Sequence, residues 1–216
     1  CKLTSQPDEL ASLVAAGTVP PLVSQLRDGD DAAREEAACA LERLTSSQQD
    51  TQGHGAIAAA SGVLPLLSLM REGTSISQQS HATAVICNLA QCVGTRCAVA
   101  AEHETIRSCV HVLGHASSTG SMLAAAAATL GCVSETGRRD SIIGEGGVQS
   151  LLPLLGRGDD GEMHAARTLC SLALDSGSHR ALSEGLVAMV SIASSATSAT
   201  SAGEFAPAAA MTTIHR

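Results

Sequence analysis

A chain of 216 residues suffices for one ordinary domain or one short repeat array, and 44% apolar against 16% charged side chains excludes disorder throughout. Trp and Tyr are absent and Phe205 is the only Phe, which excludes base-stacking platforms, cation cages and large-ring anchors. The formal charge of −8, with Lys2 the only Lys, excludes a surface that tracks phosphates, so no nucleic-acid partner is expected.

The chain repeats itself. Gly17-Thr18-Val19-Pro20-Pro21-Leu22-Val23 returns as Ser61-Gly62-Val63-Leu64-Pro65-Leu66-Leu67, more weakly from Thr105-Ile106 to Leu113, then from Gly147-Val148 to Leu155, and last from Gly185-Leu186 to Ile192. Five copies of about 42 residues account for nearly the whole length, and arrays of this period stack rather than fold separately. The boundaries expected from the spacing are 1–46, 47–91, 92–136, 137–175 and 176–216, all within one domain.

Each copy reads as three helical pieces. The first ends in a small-residue turn, as at Leu10 to Gly17, and the second starts near a proline tolerated at a helix beginning, as at Pro20-Pro21. The third follows a Gly/Asp loop such as Arg27-Asp28-Gly29-Asp30-Asp31. Third pieces carry apolar residues at i, i+4 and i+7: Ala37, Leu41, Leu44; Ala82, Ile86, Leu89; Ala126, Leu130, Val133; Ala165, Leu169, Leu172. One such stripe cannot bury itself, so neighbouring copies must stack. The alanines at 37–38, 124–128 and 165–166 predict that adjacent layers approach closely, with modest stability that depends on every layer, including the last. The stretch from Ser194 to Gly203 reads as a long loop before a final helix holding Phe205.

The pattern "AAGTVPPLVSQLRDGDDAAREEAACALERL" from Ala15 to Leu44 resembles an armadillo repeat, and Ser61 to Ala90 is similar to a second. The resemblance is strong in copies one, two and four and degenerate in three and five. It implies an all-α fold, a right-handed α-solenoid of about five three-helix repeats whose third helices line a concave groove. It further implies a non-catalytic scaffold that binds an extended peptide or partner protein there, without a cofactor. Importin-like members hold peptide backbone with an Asn late in the third helix and cradle basic side chains with a Trp four residues earlier. At these two places the chain has Arg43, Asn88, Cys132 and Ser171, and Cys39, Ala84, Ala128 and Arg167. One Asn and no Trp remain, which disfavours a nuclear-import adaptor, because Cys and Ala cannot replace an amide that both donates and accepts. The substrate-recruiting part of a ubiquitin ligase is the alternative, since some U-box ligases carry similar arrays.

The groove inferred from this alignment has polar ends and a bland middle. Copy one supplies Glu35, Glu36, Glu42 and Arg43, copy two Gln79, His81 and Asn88, copy three little beyond Ala and Cys132, and copy four Glu162, His164, Arg167 and Ser171. The candidate partner-binding set is Glu36, Arg43, Gln79, Asn88, His164, Arg167 and Ser171.

Other constellations carry less. His81, Cys87, Cys92, Cys97, His103, Cys109, His111 and His115 are dense, but no close Cys pair gives zinc-ligand spacing, so no metal site is expected. The eight cysteines form no CxxC and read as small buried thiols. Arg157-Gly158-Asp159 occupies the loop slot of Arg27-Asp28-Gly29-Asp30 and reads as a turn whose Asp caps a helix. Arg138-Arg139-Asp140-Ser141 reads either as a kinase acceptor or as an N-cap at Asp140 or Ser141. Gly53-His54-Gly55 and Gly144-Glu145-Gly146-Gly147 lack the strand and the Lys-Ser/Thr of a phosphate loop, and no GxSxG or HExxH is present. With no apolar run near 18 residues and no charged-then-apolar leader, a cytoplasmic or nuclear address is expected, for a monomeric array or part of a longer chain.

Overall fold

The computed structural model describes residues 12–47 and 51–173. The fifth copy, the 194–203 loop and the helix around Phe205 lie outside the described residues. Among the described residues every regular element is helical.

The array opens with α1 (Val19–Asp28) and α2 (Asp31–Thr45). A triplet follows, α3 (Gln52–Ala59), α4 (Val63–Glu72) and α5 (Ile76–Gln91). The next is α6 (Val93–Ala101), α7 (Glu104–Gly114) and α8 (Gly120–Ser134). The last is α9 (Arg139–Gly144), α10 (Gly147–Leu151) with a 3-10 turn at Leu152–Leu154, and α11 (Asp160–Ala173). The third helices α2, α5, α8 and α11 pack successively on one another, and α1, α4 and α7 do the same beside them. This is an α-solenoid of armadillo-like layers.

All twelve apolar positions expected to face the core are buried, all but Leu44 and Leu169 without any exposed surface, in one continuous cluster from Val19 to Leu172. Close approach of the layers is visible at α8 and α11. Thr168 Oγ1 donates to the carbonyl of Ala127 on the neighbouring helix at 3.0 Å as well as to His164 O in its own turn at 2.8 Å. A β-carbon on Gly131 would stand 2.8 Å from that hydroxyl.

Every third helix among the described residues begins on a side-chain cap. Asp30 accepts from Ala33 N at 2.8 Å, Ser75 from Gln78 N at 3.0 Å, Thr119 from Met122 N at 3.3 Å and Asp159 from Glu162 N at 3.1 Å. The Arg157-Gly158-Asp159 turn is therefore a capping loop. Gly156 and Gly158 adopt φ of 88° and 73°, and Arg157 Nε donates to Asp159 at 2.9 Å, which holds that carboxyl below the usual range. The turn between first and second helices uses the left-handed region at Gly17 (75°), Ser61 (55°) and Gly146 (81°).

Two local expectations need correction. The fourth copy's second helix breaks after Leu151, because Pro153 has no N–H to give and the chain tightens into a 3-10 turn. Asp140 and Ser141 cap nothing. The helix starts at Arg139, so Asp140 lies in its first turn, where a carboxylate complements the helix dipole, and Ser141 is exposed. Gly53 and Gly55 sit within α3, and Gly53 is pressed against the Leu44 carbonyl, where a β-carbon would not fit.

Candidate functional site

Stacked third helices present one wall of side chains. Rows three and then four residues apart along each helix can be followed from layer to layer: Glu36, His81, Ala125, His164; then Cys39, Ala84, Ala128, Arg167; then Arg43, Asn88, Cys132, Ser171. Exposed Glu36 stands at the α2 end and exposed Arg167 at the α11 end, with mostly small side chains between.

At the α2 end Glu36 is exposed and Arg43 half-buried. Glu42 pairs with His81 Nδ1 of the next layer, and Glu35 accepts from Ser75 Oγ at 2.9 Å. Hydrogen bonds from Ser77 and Ser75 hold the Glu35 carboxyl below its ordinary value. Of this acidic group Glu36 remains exposed to an incoming partner.

The middle differs from the expectation. Asn88 Nδ2 donates to Thr45 Oγ1 at 3.2 Å, across the seam to the preceding layer. Ser171 makes the equivalent contact two seams further, with Ser134 Oγ at 2.8 Å. Gln79 Nε2 turns back to the Gly73 carbonyl at 2.9 Å and closes its own loop, so it is a loop-closing residue. Gln78 reaches the Asp31 carbonyl at 2.7 Å and Gln91 the Cys87 sulfur at 3.3 Å. The amide nitrogens of α5 thus stitch layers and loops together.

The α11 end forms a pocket of about 330 Å3 whose walls include Arg96, Cys132, Glu135, His164 and Arg167. Arg96 is fixed on three sides, donating from Nε to Ala90 O at 3.0 Å, from Nη2 to Gln91 O at 3.4 Å and from Nη1 to Glu135 at 2.6 Å. Arg167 stands 3.7 Å from the other Glu135 oxygen, and its side chain is 77% exposed. Burial pushes the Cys132 thiol up despite both arginines. Arg96 and Glu135 were missed in the sequence because Arg96 belongs to a first helix and Glu135 lies just past the end of a third. Only a reading that followed the layer edge as well as the third helices would have found them.

The structure therefore brings His164 and Arg167 together, leaves Glu36 and Arg43 at the opposite end, and engages Gln79, Asn88 and Ser171 internally. Among the described residues no three His, Cys, Asp or Glu side chains converge to hold a metal ion, and Cys39, Cys87, Cys92, Cys97, Cys109, Cys132 and Cys170 are all free thiols. Among them no single helix is long and apolar enough to cross a membrane.

Residues 7–46 match the Armadillo/beta-catenin-like repeat family. No curated protein matches the sequence. Among solved structures, an engineered protein is 24% identical over 83% of this chain and 72% of its own, with a TM-score of 0.65. A second engineered protein is 25% identical with a TM-score of 0.73, and this chain spans 44% of its length. A designed armadillo repeat protein in complex with the peptide (KR)4 is 19% identical over 82% of this chain and 74% of its own, at a TM-score of 0.64.

Proposed function

We propose, on the premise that this chain is an armadillo-repeat protein, that it serves as a non-catalytic scaffold holding an extended segment of a partner protein against the wall of its third helices. The observation that carries this reading is the polarity of that wall: Glu36 at one end and Arg167 at the other are exposed, with a floor of small residues between them. Such a surface suits a peptide whose basic and acidic side chains are spaced across about four layers, because complementary charges orient a ligand even where they add little net affinity. A designed relative of the same fold binds a peptide of alternating basic residues, which supports the wall as a peptide surface. The residues proposed for contact are Glu36, Arg43, His164 and Arg167, while Asn88 and Ser171 shape the floor. An import-adaptor role has little support, since Asn88 is the one residue matching the family's Asn and no Trp stands at Cys39, Ala84, Ala128 or Arg167. Membership of a ubiquitin ligase would depend on the domains joined to this array and would leave the use of the wall unchanged.

Peptides selected from a random display library on the full chain test the proposal. Selected sequences should bind Glu36→Lys or Arg167→Glu at least about tenfold more weakly, as expected for a lost charge-assisted contact. Undiminished binding to both variants would remove the wall from consideration.

A further inference from the structure

The opposite edge of the array, where the second helices stack, carries a ladder of ion pairs. Arg71 of α4 pairs with Glu104 at the start of α7. Glu104 also meets Arg107 at 3.5 Å, and Arg107 Nε donates to Glu145 at 3.1 Å, so the ladder ties the second, third and fourth layers together. Both carboxylates hold the Arg107 guanidinium more firmly protonated than usual.

The same ladder is incomplete at the first seam. Taking Val19, Val63 and Ile106 as equivalent, Arg27 occupies the place of Arg71, Ser61 that of Glu104, and Leu64 that of Arg107. Arg27 therefore has no carboxylate opposite it and reaches only the Ser61 carbonyl, at 3.0 Å. Arg34 lies beside it, makes a long 3.4 Å contact with the Arg27 carbonyl, and leaves a buried Nε with no acceptor. Neither arginine pairs with an acid. Where the missing pair would stand there is instead an open cavity of about 470 Å3. Arg27, Arg34 and Ser61 form one side, and Leu26, Pro65, Leu69 and the half-exposed Leu64 supply an apolar floor. Glu72 closes the far rim, its carboxylate engaged by Ser68 at 3.2 Å and by Arg71 at 3.9 Å.

The geometry points to a second docking site, independent of the third-helix wall, that takes a partner peptide carrying a carboxylate side chain between aliphatic ones. The carboxylate completes the ladder by pairing with Arg27 and Arg34, and the aliphatic neighbours cover Leu64 and Pro65. Two unpaired guanidinium groups over an apolar floor select this combination, because an arginine fork matches a carboxylate bidentately and an aliphatic group alone would leave both forks unanswered. The volume lies within the range of pockets that enclose small ligands.

The probe is an acetylated, amidated pentapeptide Ala-Leu-Glu-Leu-Ala, titrated into the full chain while the arginine Nε–H resonances are followed. Shifts at Arg27 and Arg34, with the Gln-containing analogue binding at least about tenfold more weakly, are expected. Ser61→Glu restores the internal carboxylate at a backbone position already in the left-handed region, and should abolish peptide binding while leaving the thermal melt unchanged or raised. Arg27→Gln should weaken binding to the level of the Gln analogue, and it serves alone if the Ser61 variant does not fold. Equal affinity for both peptides, full binding to the Ser61→Glu chain, shifts confined to Arg96 and Arg167, or no binding at millimolar peptide would each overturn the proposal.

Discussion

Thr168 shows what a core without large rings requires. Its hydroxyl is shared between its own turn and a carbonyl on the next helix, which is within range because Gly131 offers no side chain there. Gly131→Ala ordinarily strengthens a helix by about 1 kcal/mol, but here the new methyl meets a β-branched residue whose rotamer is fixed by two hydrogen bonds, and overpacking costs about 1–3 kcal/mol. A net loss of roughly 1 kcal/mol is expected in denaturant melts. With Thr168→Ala in the background the same change should become neutral or stabilising, a non-additivity that a double-mutant cycle reads directly. Single residues were also where the sequence was least legible. Asn88 stands at the position of a peptide-binding residue, and nothing in its spacing reveals that Thr45 of the previous layer receives its amide, since that partner is 43 residues away.

At the scale of the element, the sequence was read most securely where two local signals agreed. Each third helix has an apolar stripe that starts three or more residues after a capping side chain, and both signals arise from backbone geometry within one segment. Four different loops thus set four helices in the same phase, with Asp30, Ser75, Thr119 and Asp159 in one role. Asp30→Ala leaves the Ala33 N–H without its acceptor and should cost about 1 kcal/mol, measured as a lower denaturation midpoint at unchanged slope. The second helix of the fourth copy was less legible. Proline near a helix start is tolerated while the missing N–H falls within the first turn, and Pro153 comes too late for that, six residues after Gly147. Arg96 and Glu135 escaped notice for a related reason, because they meet across a gap between elements that a reading of single helices does not join.

Across the whole molecule the layers share one cluster, so a cost incurred in any seam is felt by the array as a unit. The thiols give a way to observe this. Burial pushes Cys87 from 9.0 to about 11, and fully enclosed Cys109 is raised further. A folded-state value above the unfolded one favours the native chain while the thiol stays protonated. That contribution is complete below about pH 9 and is lost as pH rises toward 11. Melting temperature should therefore fall over that window, and Cys87→Ala should flatten part of the decline. An equally steep decline in that variant would place its origin elsewhere. The stacking order of the layers was legible because the period is carried by many residues at once, whereas the charge arrangement on either edge depends on which single side chains come opposite each other.

The inward turn of the α5 amides has a further consequence for any ligand on that wall. With one Asn88 N–H given to Thr45 and the glutamines given to loops and a neighbouring thiol, the floor offers few rungs to grip a main chain, and a strand lying on it is free to shift along its own axis until its charges find theirs. Two partners unrelated in sequence but alike in the distance between a cation and an anion would then be held equally well.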